Sequence, residues 1–119
     1  MKRLFALTLV ALATFPAMAH AFERVSDRAT FMQAVGGQEL RIGLYNLTIN
    51  VLDDGNITGS ALGWDITGTW NWRDGYFCRE MDWSGTAIDY NCQLVELDGD
   101  RIRFTVDQGA GDDAVFRIR

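Results

Sequence analysis

The chain of 119 residues carries eleven basic and sixteen acidic side chains, one histidine, two cysteines and a single proline. That is the length of one domain, and a net charge of −5 argues against a general nucleic-acid binder. The lone His20 lies at the end of an N-terminal segment expected to be removed. Histidine bases, triads and histidine metal sites are therefore nearly excluded from the remainder, since only cleavage after Ala19 would keep His20.

Lys2 and Arg3 precede an apolar run from Leu4 to Phe15, and Pro16 breaks it. Small-residue cleavage patterns follow at Ala17-Met18-Ala19 and Ala19-His20-Ala21. This is the layout of a secretory signal peptide, and the run falls short of the roughly 20 residues a membrane span needs. Residues 1–21 are read as the signal, and 22–119 as one exported domain, periplasmic or secreted, with no membrane anchor after signal removal. Cleavage after Ala19 or after Ala21 fits the pattern. Nine arginines, no lysine and sixteen carboxylates then remain, a net charge of −7. In an exported chain the even pair Cys78 and Cys92 reads as a disulfide. It would close a loop of about 15 residues, worth roughly 3 kcal/mol in the chain-entropy account.

The spacing predicts one helix, capped by Ser26, filled by Ala29 to Val35 and stopped by Gly36-Gly37. Phe22, Val25, Ala29, Met32 and Val35 are its expected buried stripe. From Leu40 the period changes to two. Leu40 to Leu52 reads as one long strand, followed by a turn at Asp53-Asp54-Gly55-Asn56. Ile57 to Leu62 and Ile66 to Trp72 are strands separated by Gly63-Trp64-Asp65. Ile66, Gly68, Trp70 and Trp72 share a face. Arg73-Asp74-Gly75 turns into Tyr76 to Met81, and Asp82 to Asp89 reads as irregular. Tyr90 to Leu97 is a strand, and Asp98-Gly99 a hairpin turn. Arg101 to Val106 and Asp113 to Ile118 complete the set, with Ala114, Phe116 and Ile118 inward. The expected fold is mainly β: a small antiparallel barrel or curled meander of about seven strands, with one N-terminal helix.

Two side-chain groups are candidates for ligand or partner contact. Trp72, Tyr76 and Trp83 belong to an aromatic set that fills a barrel core or lines a ligand site. Trp83, in the irregular stretch, is the better contact residue. Arg79, Arg101, Arg103 and Arg117 form the other group. A final hairpin centred on residue 110 would set Arg103 against Arg117 and Arg101 against Arg119. Like charges opposite one another are unfavourable unless carboxylates or a bound anion intervene. Glu96, placed opposite Arg101 by an Asp98-Gly99 turn, supplies one such carboxylate. The stretch Asp107 to Asp113 has the oxygen-rich, glycine-bent look of a calcium turn, but a hairpin loop explains it without metal. No metal, cofactor or catalytic residue is expected.

The run Ile66-Thr67-Gly68-Thr69-Trp70-Asn71-Trp72, then Asp74-Gly75-Tyr76-Phe77-Cys78-Arg79 and Asn91-Cys92-Gln93-Leu94-Val95-Glu96, resembles a family of short exported bacterial proteins of unknown function. Some members are labelled dihydrodipicolinate reductase. The resemblance implies export, small size and the cysteine pair, and carries no catalytic residues. The reductase label would need a glycine-rich nucleotide turn leading into a helix. Here the glycine pair stands at the C-terminal end of the helix instead, where the dipole repels phosphate. The expected function is an exported periplasmic binding or interaction module. Its partner is a small ligand or a cationic protein, the latter in the manner of an inhibitor. The alternative is an enzyme.

Overall fold

A computed structural model describes residues 6, 8, 10–12 and 21–119. Most of the expected signal peptide, with His20 and the cleavage pattern ending at Ala19, lies outside the described residues. The elements are β1 (Glu23–Val25), α1 (Arg28–Val35), β2 (Leu40–Ile42), β3 (Leu47–Val51), β4 (Asn56–Ala61), β5 (Trp64–Arg73), β6 (Tyr76–Trp83), β7 (Thr86–Asp98), β8 (Arg101–Thr105) and β9 (Asp113–Ile118). Strands β2 to β9 pair antiparallel in chain order. β9 returns to β2 through Leu40 opposite Ile118 and Arg41 opposite Arg117. Reciprocal backbone bonds between Glu39 and Arg119, 2.8 and 2.9 Å, extend that seam. The result is a closed up-and-down barrel of eight strands, β2 to β9, in which each strand has a neighbour on both sides. β1 is the ninth strand. It pairs with Val95–Leu97 of β7, beyond the stretch of β7 that pairs with β6.

The barrel class agrees with the expectation; two local features, the split of 40–52 and the added β1, raise the strand count to nine, and a third lengthens β6 and β7. Residues 40–52 form two strands because a 3-10 turn at Gly43–Tyr45, closed by Asn46 in the left-handed region (φ 46°), folds the chain back on itself. The stretch 82–89 is no irregular loop. Trp83 pairs with Thr86 across a two-residue turn, Ser84 (φ 46°) and Gly85 (φ 99°). Positive φ at both central positions suits the type I′ turn, whose twist matches that of the strands. β1 forms where a helical stripe was expected. Asp27, not Ser26, caps α1: its carboxylate accepts from Thr30 N at 2.8 Å and from Thr30 Oγ1 at 2.9 Å. This start makes Phe31 and Val35, four residues apart, the buried face. Ala29 is exposed, and Phe22 and Val25 lie outside the helix.

Two hairpin registers also differ. The β7–β8 turn is Gly99-Asp100, so Asp98 opposes Arg101 and Glu96 opposes Arg103. Gly99, at φ 59°, takes the first central position, where type II′ turns place glycine. In the β8–β9 pair Arg101 opposes Arg117, and Arg103 opposes Val115.

Alternation aims one face of every strand into the barrel. Ile66, Gly68, Trp70 and Trp72 of β5 face Trp83, Met81, Arg79 and Phe77 of β6. The glycine in that row has a steric reason. A Cβ on Gly68 would lie 2.4 Å from the Glu80 carbonyl oxygen, and one on Gly59 of β4 would lie 2.1 Å from that of Thr48. Such approaches let strands bend sharply, as a narrow barrel requires.

One end of the barrel is closed by α1. Phe31 is fully buried, with ring centroids 5.5, 5.2 and 5.1 Å from Trp70, Trp72 and Phe77 and 6.3 Å from Phe104. The indole of Trp70 donates to Leu52 O (2.8 Å), and that of Trp72 to Ser26 O (3.4 Å). Burial of these large rings therefore strands no indole N–H.

Candidate ligand site in the barrel lumen

Toward the other end the barrel is hollow. A cavity of about 280 Å³ lies between Leu40, Ile49, Val51 and Ile57 on one side and Phe77, Phe104 and Phe116 on the other. Arg79 and Gln93 are its polar wall; Asp112 and Asp113 line it from the exposed segment entering β9. A second hollow of about 290 Å³ shares the walls Ile49, Met81 and Phe116 and has no charged residue. It is bounded by Tyr45, Leu62 and Trp83 near the turns of the end away from α1. Large apolar side chains stand exposed on those same turns: Leu44 (82%), Trp64 (63%), Leu62 (59%) and Tyr45 (53%).

Arg79 is the unusual member of the lumen. It is only 9% exposed, on a strand face otherwise made of Phe77, Met81 and Trp83. A bulge holds it there. Between the pairs Arg79–Asn91 and Met81–Ile88, β7 has two residues, Asp89 and Tyr90, opposite Glu80 alone. Bulges break ladder pairing and re-aim groups, and here the Asp89 carbonyl accepts from Arg79 Nη1 at 2.6 Å. Among the described residues no carboxylate stands at ion-pair distance from Arg79. Burial pushes its guanidinium below the ordinary arginine range, because a cation is being held away from water. Gln93, 7% exposed, is its diagonal neighbour on β7.

The expected contact residues separate into three places. Trp83 ends β6, borders the apolar hollow and donates its indole N–H to Ala61 O at 3.2 Å. Trp72 and Tyr76 lie at the closed end. Trp72 packs on Phe31, and Tyr76 has the Arg24 guanidinium 5.0 Å over its ring. Arg101, Arg103 and Arg117 are on the barrel's outer face, each with a carboxylate. Arg103 holds Glu96 with two bonds of 3.0 and 3.1 Å, which raises its pKa. Arg101 meets Asp98 at 3.7 Å, and Arg117 meets Asp100 at 3.9 Å. The Phe22 ring also lies under Arg103, at 4.2 Å. Only Arg79 of the four arginines enters the lumen. Gln93 and the rim residues Leu44, Tyr45 and Leu62 escaped the sequence reading. The cue for Gln93 was its spacing of two from Val95 on a strand face that points inward.

Cys78 and Cys92 are opposite one another on β6 and β7, with S–S 2.10 Å and Cα atoms 3.9 Å apart. They staple the barrel wall and are far from redox geometry at a helix start. In the loop once compared to a calcium turn, Asp107 Oδ1 accepts from Asn91 Nδ2 at 2.7 Å. Among the described residues no group of three or more histidine, cysteine or carboxylate side chains is placed to hold a metal, and no helix is long and apolar enough to cross a membrane. Compared with family models, curated proteins and solved structures, the chain matches none.

Proposed function

We propose that this protein is an exported binding module whose ligand is a small, largely apolar molecule held in the barrel lumen. The observation that carries the reading is the hollow lined by Ile49, Met81, Phe104 and Phe116 with one polar wall, the composition typical of small-molecule sites. A core built only for stability would be filled, since each void forfeits packing energy. The exposed apolar rim at the end away from α1 gives such a ligand an entry that water does not favour. Export is supported by the N-terminal signal pattern and by the cysteine pair at bonding distance, which persists in an oxidising compartment.

Titration with a neutral naphthylamine fluorophore tests the reading. The expected result is saturable one-to-one uptake, weakened at least about tenfold by Ala114→Trp, which fills the lumen from β9. Equal uptake by the two proteins would contradict a lumenal site. A second reading, capture of a cationic protein in the manner of an inhibitor, is favoured by the net charge of −7 over residues 22–119. It predicts salt-sensitive binding that Ala114→Trp leaves untouched.

A further inference from the structure

Building on the lumenal site, we infer that its ligand is an amphipathic anion, a monocarboxylate with a medium-length apolar body. The carboxylate is held by Arg79 and Gln93, and the body runs among Ile49, Met81 and Phe116 toward the rim. Four observations support this assignment.

The first is cost. A buried cation without a counter-charge is expensive, and buried charges are ordinarily paired. The arginines of β8 and β9, Arg101, Arg103 and Arg117, each have a carboxylate partner. Arg79, the one buried arginine among the described residues, has a backbone carbonyl instead.

The second is geometry. A guanidinium carries five N–H donors in a flat fork that matches a carboxylate edge to edge. The Asp89 carbonyl engages Nη1. That bond fixes the plane of the fork and leaves donors for a ligand. The β-bulge responsible is the kind of irregularity that re-aims side chains next to binding sites.

The third is the company Arg79 keeps. Gln93 adds an amide N–H₂ to the same wall, and the rest of the cavity is aliphatic or aromatic. A wholly polar anion would gain nothing from those walls, and a wholly apolar ligand would leave the buried guanidinium without a counter-charge. Asp112 and Asp113 also line the cavity. They are exposed and hydrated on the segment entering β9, and they disfavour a second negative charge at the outer part of the ligand. One charged head, seated deep, satisfies both.

The fourth is size. About 280 Å³ is at the small end of the range of roughly 300–1,000 Å³ for ligand cavities. That admits a chain near ten carbons and excludes a bulky lipid with two tails.

The test holds the chain constant and varies the head. Decanoate, decanol and decyltrimethylammonium are titrated by calorimetry into the protein as residues 22–119 and into Arg79→Gln. The expected order is decanoate tightest, by at least about tenfold over decanol, with the ammonium weakest. Arg79→Gln should lose the tenfold preference while decanol binding is unchanged. Decanoate and decanol binding alike would overturn the carboxylate assignment and leave the lumenal site standing. Tightest binding of the ammonium would overturn it in favour of Asp112 and Asp113. No binding of any of the three would bring down the lumenal site itself. A measurement on the unsubstituted protein keeps the test sharp if Arg79→Gln folds poorly. The carboxyl carbon of ¹³C-labelled decanoate should titrate at lower pH when bound than when free, because the guanidinium favours the ionised form. An unchanged or raised value would contradict the assignment.

Discussion

The two ends of the barrel use the same kind of residue to opposite effect. At the end under α1, Phe31 draws Trp70, Trp72, Phe77 and Phe104 into one packed cluster, and the indole N–H groups of both tryptophans find carbonyls. At the other end Leu44, Tyr45, Leu62 and Trp64 stand in solvent around a hollow. Apolar area removed from water stabilises a fold at roughly 25 cal/mol per Å²; area left exposed around a void contributes nothing until something covers it. The packed cluster and the hollow are thus divided along the barrel axis, with Arg79 between them, and the proposed binding falls to the hollow end.

The comparison breaks most visibly at Phe31. Truncation of this residue, Phe31→Ala, should cost about 3–5 kcal/mol, read as a lower midpoint in urea at unchanged slope. Leu44→Ser at the other end should be nearly neutral. Equal losses would show that the rim is part of the core. The staple on the barrel wall comes next. Replacing both Cys78 and Cys92 by serine should cost roughly 3 kcal/mol, and a loss well under 1 kcal/mol would show that the denatured chain gains little freedom from the missing bridge.

A smaller effect separates the helix from the barrel it covers. Thr30 N–H holds the Asp27 carboxyl below the ordinary carboxylate range. The unfolded chain therefore binds that proton more tightly. The cap's contribution is complete above the ordinary carboxylate pKa and is lost as pH falls through the depressed folded value. Asp54 behaves likewise through Asn56 N–H. Asp27→Ala should lower stability at neutral pH, and the gap between the two proteins should close in acid. A gap that persists at pH 2 would assign the loss to something other than the cap. The smallest effect is expected at the rim. Trp64→Ser and Leu62→Ser should each change stability by less than about 0.5 kcal/mol yet slow fluorophore uptake in stopped-flow mixing, and unchanged uptake kinetics would remove the rim from the entry route.

Legibility in the sequence followed how local each feature is. The faces of β5, β8 and β9 were readable because Ile66-x-Gly68-x-Trp70-x-Trp72, Ile102-x-Phe104 and Ala114-x-Phe116-x-Ile118 alternate without interruption. The reversal inside 40–52 was hidden because Gly43 and Asn46 sit within the apolar run Leu44-Tyr45 and Leu47, which propensity joins into one strand. The hairpin at Ser84-Gly85 was masked by the polar residues around it, although Ser-Gly is itself a turn signal. The barrel's closure could not be seen at all, since β2 meets β9 across most of the chain. The site was legible only in part. Arg79 belongs to the candidate set, but its inward position follows from the phase of β6, and its anchor follows from a bulge that no local pattern announces. For the outer arginines the sequence already offered Glu96 as a counter-charge, and the register reassigns it to Arg103 and gives Asp98 to Arg101.

The division between a packed end and a binding end is tested most directly by amide chemical-shift mapping of the labelled domain during titration with decanoate. Shifts should concentrate at Met81, Gln93 and Ala114 and on the rim turns at Tyr45 and Leu62, with α1 and the strand ends at Trp72 and Tyr76 unmoved. Shifts confined to α1, or to the outer face of Arg101, Arg103 and Arg117, would contradict a lumenal site.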